Sequence, residues 1–292
     1  MYYEGAQYYN QNGYSILSSI SPKLHFLHDN PMNKQAKSLV KRGIEWTDYT
    51  WNPVGGCQHG CRWEMPDGSI AECYAETTAE RVAQAAYPYG FEHHYWRPEI
   101  LTEPIQILKP SRIFLDSMSD LMGHWVEDEQ IERVLDICAQ ADWHQFQLLT
   151  KNAPRLLKFQ FPSNVWVGVS VPPSIMFGKR LSVSQQARML HRMVETLHNV
   201  TATIRWMSIE PLSFDVSPLL RDSNLDWAII GAATNGKKAY QPKPEWVRNV
   251  LQVLDEQGTR VFFKGNLEWE PWREEFPEVI NTIIIDRVNL VA

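Results

Sequence analysis

Cysteine is scarce in this chain, and its scarcity excludes one class of protein. Only four of the 292 residues are cysteine, too few for a disulfide scaffold in a chain of this length. Long apolar runs are absent too, since none approaches the roughly 18 residues that span a bilayer. The N-terminus does not have the basic region followed by an apolar one that is typical of a secretory leader. These absences predict a cytoplasmic protein with no membrane partner.

The chain also lacks an excess of positive charge. Its net charge of −6 gives no bulk attraction to polyanions, so contact with nucleic acid would need a local basic patch. Hydrophobic residues make up 44% of the sequence, which supports a substantial core in one large domain or two small ones. The twelve tryptophans are scattered along the chain, and this scatter predicts packing roles for most of them.

Two regions differ in texture. Residues 1–40 are polar, rich in tyrosine and asparagine and without sustained periodicity, which predicts a poorly ordered N-terminal arm. Met32 would itself make a plausible start. Residues 41–292 are predicted to form a single domain, because short apolar segments there alternate with amphipathic ones.

The alternation in residues 41–292 predicts a parallel sheet. Strands are predicted at residues 44–47, 112–115, 146–149, 165–170, 203–209, 227–230 and 261–263. Helices are predicted at residues 75–86, at 127–138, at 187–197 and from Pro244 to the stop at Gly258. Strands that alternate with helices pair in parallel through right-handed crossovers. The fold class is therefore α/β, a partial or full parallel β/α barrel related to the TIM barrel.

Three of the four cysteines lie within seventeen residues of one another. The segment GGCQHGC at residues 55–61 carries Cys57 and Cys61, and Cys73 follows after eleven further residues. Glycines beside the thiols suit a loop that turns sharply, and clustered thiols in a reducing compartment indicate metal ligation. Cys138 lies apart on the apolar stripe of a predicted helix, as a buried structural thiol would.

Two kinds of metal site fit three thiols. A structural zinc would be completed by His59, His93 or His94. A [4Fe–4S] cluster would keep one iron open for a substrate or cofactor. The Cys-x3-Cys spacing is one residue longer than the usual zinc knuckle.

Residues that follow the strands of a β/α barrel gather at one face, where active sites are built. That rule predicts one mouth that contains the cysteine loop together with six other residues. They are Asp120, Lys151, Ser170, Glu210, Asn235 and Lys264.

Seven segments carry a resemblance to a known family. They are IEWTD with WNP at residues 44–53, CYAE at 73–76, SMSDL at 117–121, LLTK at 148–151, VGVS at 167–170, SIEPL at 208–212 and FK at 263–264. With them the chain resembles the phage-associated, three-cysteine, radical-SAM-like family of unknown function. It is more distantly similar to the spore photoproduct lyase branch of the radical SAM superfamily.

The resemblance implies a [4Fe–4S] cluster on Cys57, Cys61 and Cys73, with S-adenosylmethionine (SAM) on the fourth iron. Reductive cleavage would then release a 5′-deoxyadenosyl radical, with flavodoxin or ferredoxin as the electron donor. The phage association implies nucleic acid or a nucleotide as the substrate. Asp120 and Glu210 are the implied catalytic residues. The implied cofactor contacts are Ser117, Ser119, Ser170, Tyr74 and Asn235, the last in the run 231–236, where relatives carry an acidic residue.

The eleven residues between Cys61 and Cys73 depart from the usual radical SAM spacing, in which two residues separate these cysteines. An inserted hairpin with its turn at residues 66–68 would still return Cys73 to the loop, because closing a loop of this length costs little. Two other readings remain open. One is a non-catalytic, phage-related binding protein stabilised by zinc or a cluster, and the other is a metal-free hydrolase that uses Asp120 and Glu210.

Overall fold

The structure, a computed structural model, describes residues 32–35 and 43–278. Most of the predicted N-terminal arm and the last fourteen residues lie outside the described residues. Within the arm, Asn33 and Lys34 form a short strand antiparallel to Tyr49 and Thr50.

The strands of the described residues are mostly short. In chain order they are β1 (Asn33–Lys34), β2 (Tyr49–Trp51), β3 (Val54–Gly55), β4 (Arg62–Glu64), β5 (Ile70–Glu72), β6 (Tyr95–Trp96), β7 (Arg112–Leu115), β8 (Gln145–Thr150), β9 (Val165–Ser170), β10 (Ile175–Met176), β11 (Lys179–Arg180), β12 (Arg205–Ile209), β13 (Trp227–Ile230), β14 (Ala233–Asn235), β15 (Lys238–Tyr240) and β16 (Arg260–Phe263).

The α-helices of the same region lie between these strands. They are α1 (Tyr74–Arg81), α2 (Glu103–Gln106), α3 (Asp128–Gln140), α4 (Val183–His198), α5 (Ser217–Leu220) and α6 (Pro244–Glu256). Capping boxes begin α3 at Glu127 and α4 at Ser182, and Gly258 follows α6 with a positive φ of 71°. None of these helices, among the residues described, is long and apolar enough to cross a membrane.

The main sheet of the described residues has the spatial order β1-β2-β7-β8-β9-β12-β13-β16. Strand β1 is antiparallel to β2, and every other neighbouring pair is parallel. From β2 to β16 the spatial order follows the chain order, without the reversal of a doubly wound sheet. The fold is therefore α/β with a large, mostly parallel central sheet. A closed barrel is not shown, since no pairing joins β16 to β1 or β2 in this part of the chain.

The first predicted parallel strand is displaced along the chain. Residues 44–47 were expected to form it, but they form a turn, and β2 begins at Tyr49. The apolar residues of this segment suggested a strand, but Trp46 packs in an aromatic cluster instead. Its ring packs 4.6 Å from Phe114 and 5.4 Å from Trp206, centroid to centroid.

The two faces of the sheet are buried differently. One face packs against the helices, with Val134 of α3, Leu190 of α4 and Val250 of α6 in the same core as the strands. The other face carries a second apolar cluster that we call the aromatic plug. The aromatic plug consists of Trp46, Phe114, Trp166, Trp206, Trp227 and Phe262, with Ile204 and Ile229.

The plug lies at one end of that face, and polar residues lie at the other. On β9, alternate residues run from Trp166 through Gly168 to Ser170, and on β12 they run from Trp206 to Ser208. A side chain at Gly168 would collide with the indole of Trp206. The inner face thus changes from large rings to small and polar residues toward the carboxyl ends of the strands.

Candidate functional site

A cavity of about 240 Å³ lies at the carboxyl ends of the parallel strands. Its wall contains all three clustered thiols, from Cys57, Cys61 and Cys73. It also contains most of the other side chains predicted for the mouth or for cofactor contact. These are Tyr74, Ser117, Ser119, Asp120, Lys151, Ser170, Glu210 and Lys264. The fourth cysteine, Cys138, is fully buried among the helices instead.

The excursion between Cys61 and Cys73 is a β-hairpin, as predicted. Strand β4 pairs antiparallel with β5, and the pair closest to the thiols joins Arg62 to Glu72. Cys61 and Cys73 flank that pair directly, so the hairpin returns the third cysteine to the loop. The Arg62 guanidinium also donates to the Glu76 carboxylate at 2.8 Å, which ties the hairpin to α1.

Backbone contacts hold the segment that carries Cys57. The Gly56 N–H donates to the Met118 carbonyl at 3.0 Å, and the Cys57 N–H donates to the Phe91 carbonyl at 2.8 Å. The Ser119 hydroxyl donates to the Gly56 carbonyl at 2.6 Å. Ser119 therefore anchors the cysteine loop, and a contact with a cofactor would have to share this hydroxyl.

Asp120 and His59 tie the loop to the strand ends. His59 Nε2 donates to Asp120 Oδ2 at 2.8 Å, and the same oxygen accepts the Lys151 N–H at 2.9 Å. The Met122 N–H donates to Oδ1 at 3.0 Å. Burial alone would raise the pKa of Asp120, but the hydrogen bonds, led by the one from His59, lower it. The carboxylate is thus charged and fully engaged, and its catalytic role stays a prediction.

Burial and nearby charges shift the pKa values of Cys57, Cys61 and Lys151. Burial raises the pKa of Cys57 well above its ordinary value, and the charge of Asp120 adds to this effect. Burial also raises the pKa of Cys61 to about 11, against the opposing charge of Lys151. Burial alone would lower the pKa of Lys151, yet the acidic groups around it, Cys61, Cys73 and Asp120, raise it. Without a metal the thiols of Cys57 and Cys61 stay protonated, and a bound metal would deprotonate them.

Glu210 and Lys264 form an ion pair in the cavity wall. Burial alone would lower the pKa of Lys264, but the charge of Glu210 raises it. Gly231 gives the pair room, since an added Cβ there would lie 2.8 Å from Glu210 Cγ. The Gly265 N–H donates to Glu45 at 2.6 Å and fixes the backbone beside the lysine. Glu210 is therefore held by its ion pair with Lys264, and its catalytic role stays a prediction.

The other predicted cofactor contacts differ in their placement. The Tyr74 hydroxyl donates to the Ser117 carbonyl at 2.5 Å, and the Ser117 hydroxyl donates to Asn52 Oδ1 at 3.0 Å. Ser170 is buried, with its hydroxyl 3.4 Å from the Val171 carbonyl. These residues line the cavity.

Asn235 does not line the cysteine cavity. It lies on β14, and its Nδ2 donates to Ser69 Oγ at 3.2 Å, on the hairpin between Cys61 and Cys73. The chain after β13 continues into the β14–β15 hairpin, which carries Asn235 away from the strand end. Its predicted cofactor role has no support from this position.

Asp116, Ser208 and Trp63 also line the cavity and were not among the predicted site residues. Asp116 is buried, and its Oδ2 has no hydrogen-bond partner, whereas Oδ1 accepts the Val54 N–H at 3.0 Å. Burial raises its pKa well above the ordinary value. A count of alternate residues from Phe114 and from Trp206 would have found Asp116 and Ser208, because both follow inward-facing rings.

Two of the histidines considered for a zinc site, His59 and His94, make a hydrogen bond through Nε2, whereas Nδ1 of each has no partner. His59 Nε2 bonds Asp120, and His94 Nε2 lies 2.9 Å from Gln130 Oε1. Among the described residues there is no group of three or more His, Cys, Asp or Glu side chains that could hold a metal ion. The geometry therefore gives no support to a closed site with three cysteines and one histidine.

A family model described as "Protein of unknown function (DUF5131)" matches residues 41–282. The chain belongs to this family. A search of the curated proteins finds no match. The association with phage that the sequence implies stays a prediction.

The chain is also similar to solved structures of spore photoproduct lyase. For one single-residue variant the TM-score is 0.50 at 10% identity, and the match covers 76% of this chain and 78% of that one. For the lyase complexed with dinucleoside spore photoproduct the TM-score is 0.43 at 10% identity, over 73% of this chain. The chain spans 63% of the length of that complexed lyase. At such identity the likeness shows the fold alone.

Proposed function

We propose that this chain is a radical SAM enzyme in which Cys57, Cys61 and Cys73 hold a [4Fe–4S] cluster. One observation carries the proposal. The three thiols line a single cavity at the carboxyl ends of the parallel strands, where α/β folds build their active sites. When bound, the cluster and SAM would supply a 5′-deoxyadenosyl radical that abstracts hydrogen from a substrate.

The donor set fits such a cluster. Thiolates are the usual ligands of iron–sulfur clusters. The three thiols share one cavity wall, and a cluster would take all three as ligands. Asp116 Oδ2, a buried cavity atom without a hydrogen-bond partner, is available to a polar group of a bound cofactor.

Other residues of the chain would prepare the site. Lys151 offsets the negative charge of the thiolates, because its ammonium interacts with Cys61 and Cys73. His59 and Asp120 hold the loop in place through their 2.8 Å contact. The aromatic plug closes the end of the sheet opposite the thiols and keeps water from entering there. The substrate, nucleic acid or a nucleotide, and the donor, flavodoxin or ferredoxin, are expectations from the sequence.

The test is anaerobic reconstitution with iron and sulfide, followed by dithionite and SAM. We expect about four irons per chain and formation of 5′-deoxyadenosine. Alanine at Cys57, Cys61 or Cys73 should abolish both, whereas Cys138→Ala is the matched control and should retain both. Absence of iron from the reconstituted protein, or a cluster that forms no 5′-deoxyadenosine, would contradict the proposal.

A further inference from the structure

Two further cavities adjoin the cysteine cavity and share its walls. The nearer has a volume of about 150 Å³ and shares Trp63, Glu210 and Lys264 with the cysteine cavity. The outer has a volume of about 600 Å³ and shares Trp63, Met65 and Pro211 with the nearer one. Since Trp63 lines all three, the cavities lie next to one another along β4 and β5, and together they run from the thiols past the hairpin. We call this row of cavities the hairpin groove, because β4 and β5 roof it.

The roof of the hairpin groove is tied down on two sides. On one side, Arg180 pairs with Glu64 at 2.7 Å. On the other, the Asp67 carboxylate at the hairpin tip accepts from Lys238 at 2.7 Å and from the Tyr240 hydroxyl at 2.6 Å. These contacts occupy the outer polar groups of the hairpin. Trp63 and Met65 are left lining the groove beneath it.

The outer cavity is largely apolar and aromatic. Trp63, Phe214, Tyr240 and Trp246 are among the residues that line it. In the described part of the chain, its charged lining residues are Glu64 and Lys243. Glu64 is already paired with Arg180, and the Lys243 ammonium lies 4.9 Å from the Trp246 ring centroid. The net effect is an aromatic cavity with one cation at its edge.

This lining selects between two classes of ligand. A nucleic-acid strand is held by several cations, each of which neutralises one phosphate, and the outer cavity offers a single lysine. An aromatic molecule gains from packing on indole rings, and one negative charge on it would meet Lys243. A volume of about 600 Å³ lies within the range usual for small-molecule pockets.

We propose that the hairpin groove binds the substrate of the reaction proposed above, and that this substrate is a small aromatic molecule with a single negative charge, in place of the nucleic acid or nucleotide expected from the sequence. Its ring packs against Trp63 and Trp246, its anionic group lies beside Lys243, and its reacting end points toward the thiols. The inference rests on the proposed function for the reaction, but its binding site does not depend on a cluster.

The test uses 8-anilinonaphthalene-1-sulfonate, an aromatic dye with one sulfonate, in a fluorescence titration of the full chain as purified. We expect one dye per chain. Lys243→Met and Trp246→Ala should each weaken binding about tenfold, or about 1.4 kcal/mol, and Trp63→Phe should largely preserve it. Lys237→Met and Trp272→Ala are matched controls outside the cavity lining and should leave binding unchanged. Thermal melting checks that each variant is folded. If Trp246→Ala does not fold, the test rests on Lys243→Met alone.

Three results would overturn the inference. They are no stoichiometric binding, binding that Lys243→Met leaves unchanged, or displacement of the dye by a single-stranded oligonucleotide at lower concentration than by naphthalene sulfonate. None of these needs iron or SAM. Formation of 5′-deoxyadenosine without dye binding would therefore overturn this inference alone. Dye binding with the expected variant pattern but without a cluster would overturn the radical reaction and leave a ligand site.

Discussion

Gly56→Ala is expected to damage the cysteine loop much more than Gly60→Ala. Both glycines have positive φ, 82° and 58° respectively, so a side chain at either strains the backbone by roughly 1–2 kcal/mol. No atom lies within 4 Å of a Cβ added at Gly60, whereas a Cβ at Gly56 would overlap the main-chain carbonyl of His93. The Gly56 backbone would have to move.

That movement would break two hydrogen bonds. They are the Gly56 N–H to the Met118 carbonyl at 3.0 Å and the Ser119 hydroxyl to the Gly56 carbonyl at 2.6 Å. Each contributes about 0.5–1.5 kcal/mol net. With the strain, Gly56→Ala should lower the free energy of unfolding by about 2–5 kcal/mol, against about 1–2 kcal/mol for Gly60→Ala.

The assay is thermal unfolding of both variants beside the wild type, followed by iron content after anaerobic reconstitution. At about 2–4 °C per kcal/mol, Gly60→Ala should lower Tm by about 2–8 °C and Gly56→Ala by clearly more. Iron content should fall in Gly56→Ala, since the Cys57 thiol moves with its neighbour. Equal Tm values for the two variants, or full iron content in Gly56→Ala, would refute the reasoning.

Three further predictions test other parts of the fold. Burial lowers the pKa of His144, so below pH about 6.5 the unfolded chain takes up a proton that the folded chain does not. Urea unfolding should therefore show that the free energy of unfolding falls from pH 7 to pH 5. The fall should be smaller in His144→Gln and unchanged in His191→Gln, which alters an exposed histidine. Gly168→Ala crowds an indole of the aromatic plug and should cost about 1–3 kcal/mol, so an unchanged Tm would contradict that packing. Lys264→Met leaves Glu210 without its partner and should lower Tm, and adding Glu210→Gln should restore part of the loss; no recovery would argue against the pairing.

Local patterns predicted the regular elements well. The strand expected at residues 165–170 is β9, and the helix expected to start at Pro244 and stop before Gly258 is α6. Both carry strong signals, a continuous apolar run in the first and an amphipathic stripe between proline and glycine in the second. The same reasoning was wrong for residues 44–47, because Trp46 packs in the aromatic plug and does not belong to a strand.

The candidate site was predicted in outline and missed in detail. The rule that strand ends gather at one face correctly placed Ser170, Glu210 and Lys264 in the cavity wall. It failed for Asn235, because the chain after β13 folds into a hairpin of its own. It also overlooked Asp116, which a count of alternate residues from Phe114 would have placed in the cavity wall. Only the structure shows that one of its carboxyl oxygens has no partner.

By itself the sequence determined the grouping of the three thiols, the alternation of strands and helices and the polar residues that follow the strands. These depend on spacing and periodicity, which are local properties of the chain. The tertiary structure decided which of those residues meet. The pairing of Arg62 with Glu72 brings Cys61 and Cys73 together, and the same hairpin roofs a groove that no segment contains alone. Such contacts join residues far apart in the chain, so their partners exist only once the chain has folded.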